Sequence, residues 1–340
     1  MSNHKTAPLI IILITAIIPA FIAGLLSGST GFTLADLREA WLFLYNGTGD
    51  ETGALILFEI RLPRSILALG VGAALGVSGA AFQGIFRNSL ADPYVIGASS
   101  GAALGAALAM IAGLSLAGPV SAVSLCAFGG SLGAVFLAFI ISRNAGHPAP
   151  AAALLLAGVS LSALFSSLLS LILVLKDRAL HQVYYWLLGS LNGVSWTTLP
   201  AVLPVMFFGC FMVFLAHRPL DLLLQGEDVA ESLGIEVRKT RLFIAMGASL
   251  AAAAAVAAAG IIGFVGLIAP HAARMITGPA HKRLLPASAL LGALLVVLAD
   301  LIARNVADNL ELPIGIITSL GGAPFFIYLL VRHGRHAGRL

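Results

Sequence analysis

Arg61, Arg64 and Arg304 each border an apolar run. A guanidinium presented at such a place can grip a carboxylate of a docking protein bidentately. The bland alternative is a residue snorkelling from a helix end toward water, and the residues alone favour it. The run Gly260-Ile-Ile-Gly-Phe-Val-Gly-Leu-Ile-Ala-Pro-His-Ala-Ala-Arg274 holds further candidates. Pro270 removes a backbone donor and disfavours helical geometry at Ala269. With the freedom of Gly260, Gly263 and Gly266, the segment reads as a broken or kinked membrane helix closed by Arg274. His271 has the chemistry of a proton relay or a metal ligand, but it stands alone, so a structural hydrogen bond at the kink is the favoured reading. Ser162, Ser166 and Ser170 recur at i, i+4 and i+8 and share one helix face. They line a water-filled path or bridge packed helices.

These residues must be positioned by a membrane fold. Of 340 residues, 59% are hydrophobic and 10% charged, and the mean hydropathy is +1.00. A soluble domain cannot hide so much apolar side chain. Apolar runs fall at 8–26, 66–86, 95–116, 120–141, 151–175, 199–216, 242–259, 261–276, 284–302 and 314–331. That is about ten spans, helical because lipid offers no partners to free backbone groups. The first is too long for an ordinary signal core and no small-residue cleavage site follows it. The expected fold is all-α: one polytopic membrane domain over residues 1–340. Small residues at Gly72, Gly76 and Gly79, at Gly101 and Gly105, and at Gly129 and Gly133 predict close helix crossings. Cys126 and Cys210 sit inside apolar runs without metal-type spacing, so no metal site and no disulfide framework is expected.

The longest polar break of the second half is Leu220-Asp-Leu-Leu-Leu-Gln-Gly-Glu-Asp-Val-Ala-Glu-Ser-Leu-Gly-Ile-Glu-Val-Arg-Lys-Thr-Arg241. Pro219 suits the first turn of a short helix that Gly226 ends. Glu227 and Asp228 suit the first turn of a second, which Gly234 closes; Asp221 and Glu231 are further acids on this stretch. A loop folded into compact helices is either a contact surface or an ordinary connection. With the N-terminus inside, 13 of the 19 Lys and Arg residues fall on the cytoplasmic side and 6 on the other, which agrees with the positive-inside rule. It places this stretch in the cytoplasm. The basic residues are spread over loops, so the charge is a topology signal and not a nucleic-acid one. No P-loop motif occurs. No acids cluster in mid-helix, which counts against a proton- or sodium-coupled carrier.

The segments Arg61-Leu-Pro-Arg64, Gly72-Ala-Ala-Leu-Gly-Val-Ser-Gly-Ala-Ala-Phe-Gln83, Asn88-Ser-Leu-Ala-Asp-Pro93 and Ile96-Gly-Ala-Ser-Ser-Gly101 resemble FecCD-type permeases. So do Tyr185-Trp-Leu-Leu-Gly-Ser190, Gly263-Phe-Val-Gly-Leu-Ile-Ala-Pro-His271, Glu311-Leu-Pro-Ile-Gly315 and Gly321-Gly-Ala-Pro-Phe-Phe326. These permeases are the membrane subunits of type II ABC importers for iron-siderophores, haem and cobalamin. The resemblance implies ten helices per subunit and a homodimer with the path on its twofold axis. It implies two cytosolic ATPase subunits, which carry ATP and magnesium, so that this chain needs no cofactor and is not an enzyme. It implies that Leu220 to Gly234 forms two coupling helices. A periplasmic or lipoprotein binding protein is expected to dock on Arg61, Arg64 and Arg304 and deliver a metal chelate. The serine stripe then lines the path, in the cytoplasmic membrane of a bacterium or archaeon. A stand-alone secondary carrier or channel is the rival expectation. Residues 27–57 match no motif.

Overall fold

The computed structural model describes residues 6–28, 31–116, 118, 120–144, 150–176, 179–306 and 311–337. Among them all regular structure is helical. The helices are α1 (Thr6–Leu26), α2 (Leu34–Asn46), α3 (Glu51–Ala54), α4 (Leu62–Phe86), α5 (Ala98–Ile111), α6 (Ala122–Asn144), α7 (Pro150–Leu175) and α8 (Leu180–Leu187). There follow α9 (Leu199–Leu215), α10 (His217–Gln225), α11 (Glu227–Ser232), α12 (Val237–Ala259), α13 (Val265–Thr277), α14 (His281–Asn305) and α15 (Ile314–Ala337). Each of the ten apolar runs falls on one of these helices. Five helices are long and apolar enough to cross a membrane on length and composition, and up to six if the bent pair α9–α10 counts as one span. Lys5, Arg178 and Arg339, used in the charge count, lie outside the described residues.

The second span begins well before Ile66. Glu51 to Phe86 is one continuous helix of 36 residues, with a π-helical stretch over Leu55–Arg61 joining α3 to α4. Pro63 explains the irregularity. In this register Leu62 donates to Leu57, so residue 63 would donate to Phe58, and proline has no N–H to give. The Phe58 carbonyl instead accepts the indole N–H of Trp196 at 2.8 Å. Arg61 and Arg64 therefore lie inside a helix, not at its end.

α4 and α14 form the most extensive helix pair. A Cβ added at Gly72 would collide with the carbonyl of Gly292, and one at Gly292 with the carbonyl of Gly72. Gly76 meets the Ser288 carbonyl in the same way, and Gly79 meets the Gly266 carbonyl of α13. Gly266 is four residues before Pro270, so its carbonyl lacks the usual helical donor, and the bare backbone of Gly79 fills the space beside it. Ser78 adds a hydrogen bond from α4 to the Ala248 carbonyl of α12 at 2.7 Å. The core lies along this axis in two halves, one around Phe82, Leu220, Ile244 and Leu284, the other around Leu67, Leu191, Ile262 and Val296.

Two expectations change. The break between the seventh and eighth runs lies at Gly260–Phe264, and Pro270 is inside α13 rather than at the break. Phe264 itself adopts φ +67, a conformation rarely populated by a side chain of that size. On α6, nothing lies near a Cβ added at Gly129 or Gly133; Gly130 makes the close crossing with Gly101, and Gly105 approaches the Cys126 carbonyl. Both cysteines are partly buried and unbridged.

Gly79→Ala forces backbones apart and should cost about 1–3 kcal/mol by overpacking, seen as a lower unfolding temperature in detergent. Gly133→Ala meets open space and should leave that temperature unchanged or raise it.

Candidate functional site

Two polar assemblies stand at opposite ends of α14. The first is the elbow after α9. The chain bends by 52° between α9 and α10, and Gly226 (φ +128) turns it again into α11. Leu220 is 0% exposed and belongs, with Leu223 and Ala230, to the core cluster that contains Leu284 and Phe82. Asp228, Glu231 and Gly234 face outward. The helices begin and end close to where proline, acids and glycines put them, with α10 starting two residues before Pro219.

A hydrogen-bonded Asp–His contact and an ion pair pin the elbow to the bundle. His281, the first residue of α14 and 0% exposed, gives its backbone N–H to Asp221 Oδ1 at 2.8 Å. Its ring Nδ1 lies 2.7 Å from the same oxygen, and donates to it in the Nδ1–H tautomer. Burial raises the Asp221 carboxyl, but the hydrogen bonds and charge of His281 outweigh it and hold the group below its ordinary value of 3.8. In α11, Glu227 Oε1 lies 2.6 Å from Nη2 of the buried Arg241 on α12. His281 and Arg241 were not among the predicted site residues. His281, three residues beyond Gly278 at the head of an apolar run, carried the only available signal.

The second assembly joins α4, α14, α1 and the segment before α15. Arg64 Nη2 lies 2.8 Å from Asp300 Oδ1, and its Nη1 lies 2.9 Å from Glu311 Oε2; Nη1 also donates to Asn192. Arg304 Nη2 lies 3.0 Å from the other oxygen of Asp300 and 3.0 Å from the Gly24 carbonyl. Arg61 Nη1 donates to the Leu25 carbonyl at 2.8 Å, and its guanidinium sits 4.8 Å over the Phe32 ring. The last carbonyls of α1 have no partner in their own helix, and these two arginines supply it. Arg61, Arg64 and Arg304 are only 5%, 6% and 8% exposed. Each is turned inward to a carboxylate or a helix end, because a buried cation must be paired within the protein. Asp300, the hub, stands in the sequence near the end of the 284–302 run. Its i, i+4 spacing to Arg304 was the signal. Glu311 is the more exposed acid; burial raises its carboxyl, and the hydrogen bond and charge of Arg64 bring it below the ordinary glutamate value.

The remaining candidates separate. His271 packs edge-on against Phe325 and Phe326 of α15 at 6.4 and 6.1 Å, in a half-buried aromatic cluster with Phe264. No group of three metal-type ligands occurs among the described residues. Gly263 lies in the break, Gly266 packs against Pro93, and Arg274 falls in the last turn of α13. Ser166 and Ser170 lie on the exposed face of α7, where Ser170 Oγ donates to the Ser166 carbonyl at 2.9 Å; Ser162 is half-buried beside Gly97. Two of the resembling segments meet beside the break: Ser190 N–H donates to the Ala259 carbonyl at the end of α12, and the Ile314 and Gly315 N–H groups donate to the carbonyls of Gly189 and Leu188.

The sequence model of the FecCD transport family matches residues 12–332. The chain belongs to the FecCD transport family. Among curated relatives, the cobalamin import permease BtuC of Halobacterium salinarum is 46% identical over 280 residues, 82% of this chain and 74% of that one. The iron(3+)-hydroxamate import permease FhuG of Bacillus subtilis is 35% identical over 336 residues, 98% and 99% of the two chains. A solved inward-facing structure described as a metal-chelate type ABC transporter superposes with a TM-score of 0.83 at 32% identity, over 96% of this chain and 99% of that one. This FecCD protein is a multi-pass membrane permease subunit of an ABC importer. Its two assemblies sit where the charge count put the cytoplasmic and outer faces.

Asp300→Ala leaves two buried guanidinia without their common carboxylate. It should cost about 3–5 kcal/mol, read from thermal unfolding in detergent. The Asp221 contribution should be complete at neutral pH, because its folded pKa lies below the unfolded one, and lost only as pH falls below 3.8 through the lowered value. Hydrogen-exchange protection of the His281 amide against pH checks this; in Asp221→Ala the protection should be low at every pH.

Proposed function

We propose that this permease works as a homodimer in the cytoplasmic membrane of a bacterium or archaeon and is driven by two cytosolic ATPase subunits. The cargo is a metal chelate, an iron-siderophore or haem first and cobalamin next, delivered by a periplasmic or lipoprotein binding protein. The observation that carries the reading is the elbow. Its apolar side is plugged into the bundle and its ends are pinned by Asp221–His281 and Glu227–Arg241. The residues left outward on α11 and the turn after it are Asp228, Val229 and Glu231 through Gly234. A surface so placed moves the bundle when it is moved. ATP and magnesium belong to the partner, and the permease contributes no covalent chemistry.

ATP-driven closure of the ATPase pair displaces α10 and α11. The helices around α4 and α14 follow as a nearly rigid body, and access to a central cavity switches sides. Ser162, Ser166 and Ser170 line that cavity from α7, whose exposed face the second copy would cover. The binding protein docks on the outer rim above the arginine cluster. There Arg61, Arg64 and Arg304 act by fixing α1, α4 and the segment before α15 in place, with Glu311 nearest to the surface. A secondary carrier or channel would need neither partner.

Reversing the outward charge of the elbow with Asp228→Arg and Glu231→Arg should lower copurification of the ATPase about tenfold, on the order of 1.4 kcal/mol, without changing the unfolding temperature. Undiminished copurification would remove the elbow from the interface.

A further inference from the structure

Three elements meet at one point beneath the bundle. A Cβ on Gly84, in the last turn of α4, would stand 2.8 Å from Leu220 Cδ2 and 3.0 Å from His281 Nε2. Leu220 belongs to the coupling elbow and His281 is the first residue of α14. Both are fully buried, and no hydrogen-bond partner reaches His281 Nε2. The ring is therefore held on one side only, by the Nδ1 contact with Asp221, and Gly84 leaves just enough room for it.

From that point α14 runs as one helix of 25 residues, with Pro286 in its second turn, roughly 37 Å at 1.5 Å per residue. Midway, it is keyed to α4 by the reciprocal Gly72–Gly292 contact and by Gly76 against Ser288. At its far end Asp300 and Arg304 bind Arg64 of α4 and the last turn of α1. The α4–α14 pair is thus clamped at the cytoplasmic end, in the middle and at the outer end. Helices keyed backbone to backbone cannot slide independently, since every shift meets a carbonyl.

We infer that the Asp221–His281 contact is the latch through which movement of the coupling elbow enters the α4–α14 pair, which carries it as one rod to the outer arginine–carboxylate cluster. His281 and Gly84 are positioning residues: His281 gives α14 a grip on α10, and Gly84 lets the ring and Leu220 share one socket. The inference rests on the reading of α10 and α11 as coupling helices.

The test reads the outer end directly and needs no cargo. A nitroxide is placed at Asn305→Cys, an exposed position at the end of α14, in a chain carrying Cys126→Ala and Cys210→Ala. The permease is reconstituted with its ATPase in phosphatidylethanolamine–phosphatidylglycerol vesicles, and label mobility is compared before and after trapping with ATP and vanadate. With the latch intact, trapping should change the spectrum. In His281→Leu and in Asp221→Ala, the change at position 305, read per trapped nucleotide, should be lost. His281→Asn, whose amide can take the place of Nδ1–H, should restore it. Asp221 is partly exposed, so its alanine variant assembles even if the buried leucine does not. A full spectral change in Asp221→Ala overturns the latch. Failure of the unaltered latch protein to trap nucleotide overturns the coupling reading beneath it.

Discussion

α4 and α14 touch backbone to backbone, and the rest of the chain is arranged about that contact. Inside a bilayer there is no hydrophobic gain in joining two apolar helices, so close packing and internal polar bonds must hold them. Gly72, Gly76 and Gly292 allow the approach. Gly79 extends it to α13 by lying beside the carbonyl that Pro270 leaves without its donor. α12 joins through Ser78 and a run of buried alanines. The second consequence is electrostatic. Helices this close leave no water between them, so Arg64, Arg304 and Asp300 must satisfy one another, and the end of α1 is drawn in to complete them.

Much of this was legible in the chain. The ten apolar runs stand out because a span must be apolar over its whole length, and every one is a helix. The elbow was legible because Pro219, Gly226 and Gly234 have conformational roles that few other residues fill. The broken helix was legible as a breach between the runs 242–259 and 261–276, where Gly260 and Phe264 take positive φ; Pro270, read as part of the breach, is tolerated inside α13 because Gly79 covers the orphaned carbonyl.

The rest depended on partners distant in the chain. Arg64 and Asp300 are 236 residues apart, and the Arg61-Leu-Pro-Arg64 string says nothing of what its guanidinia meet. Their apparent position at a helix end came from the apolar run that starts at residue 66, whereas the helix starts at Glu51 and passes Pro63 through a π-helical stretch. Gly129 and Gly133 fit the small-residue spacing but lie off the face that α5 uses, because spacing gives the period of a face and not its direction. His281 and Arg241 were not read as site residues, since neither belongs to a motif and each matters only through an acid on another helix.

Under the proposed function the bundle is inert alone and is worked from the cytoplasm through a pinned elbow. Accumulation of a radio-iron-labelled hydroxamate siderophore, haem or cobalamin, each supplied with the cognate binding protein, in proteoliposomes tests this most directly. One of them should be concentrated inside when the ATPase and ATP are both present, and none when either is withheld. Concentration of any of them against its gradient without the ATPase would contradict the account.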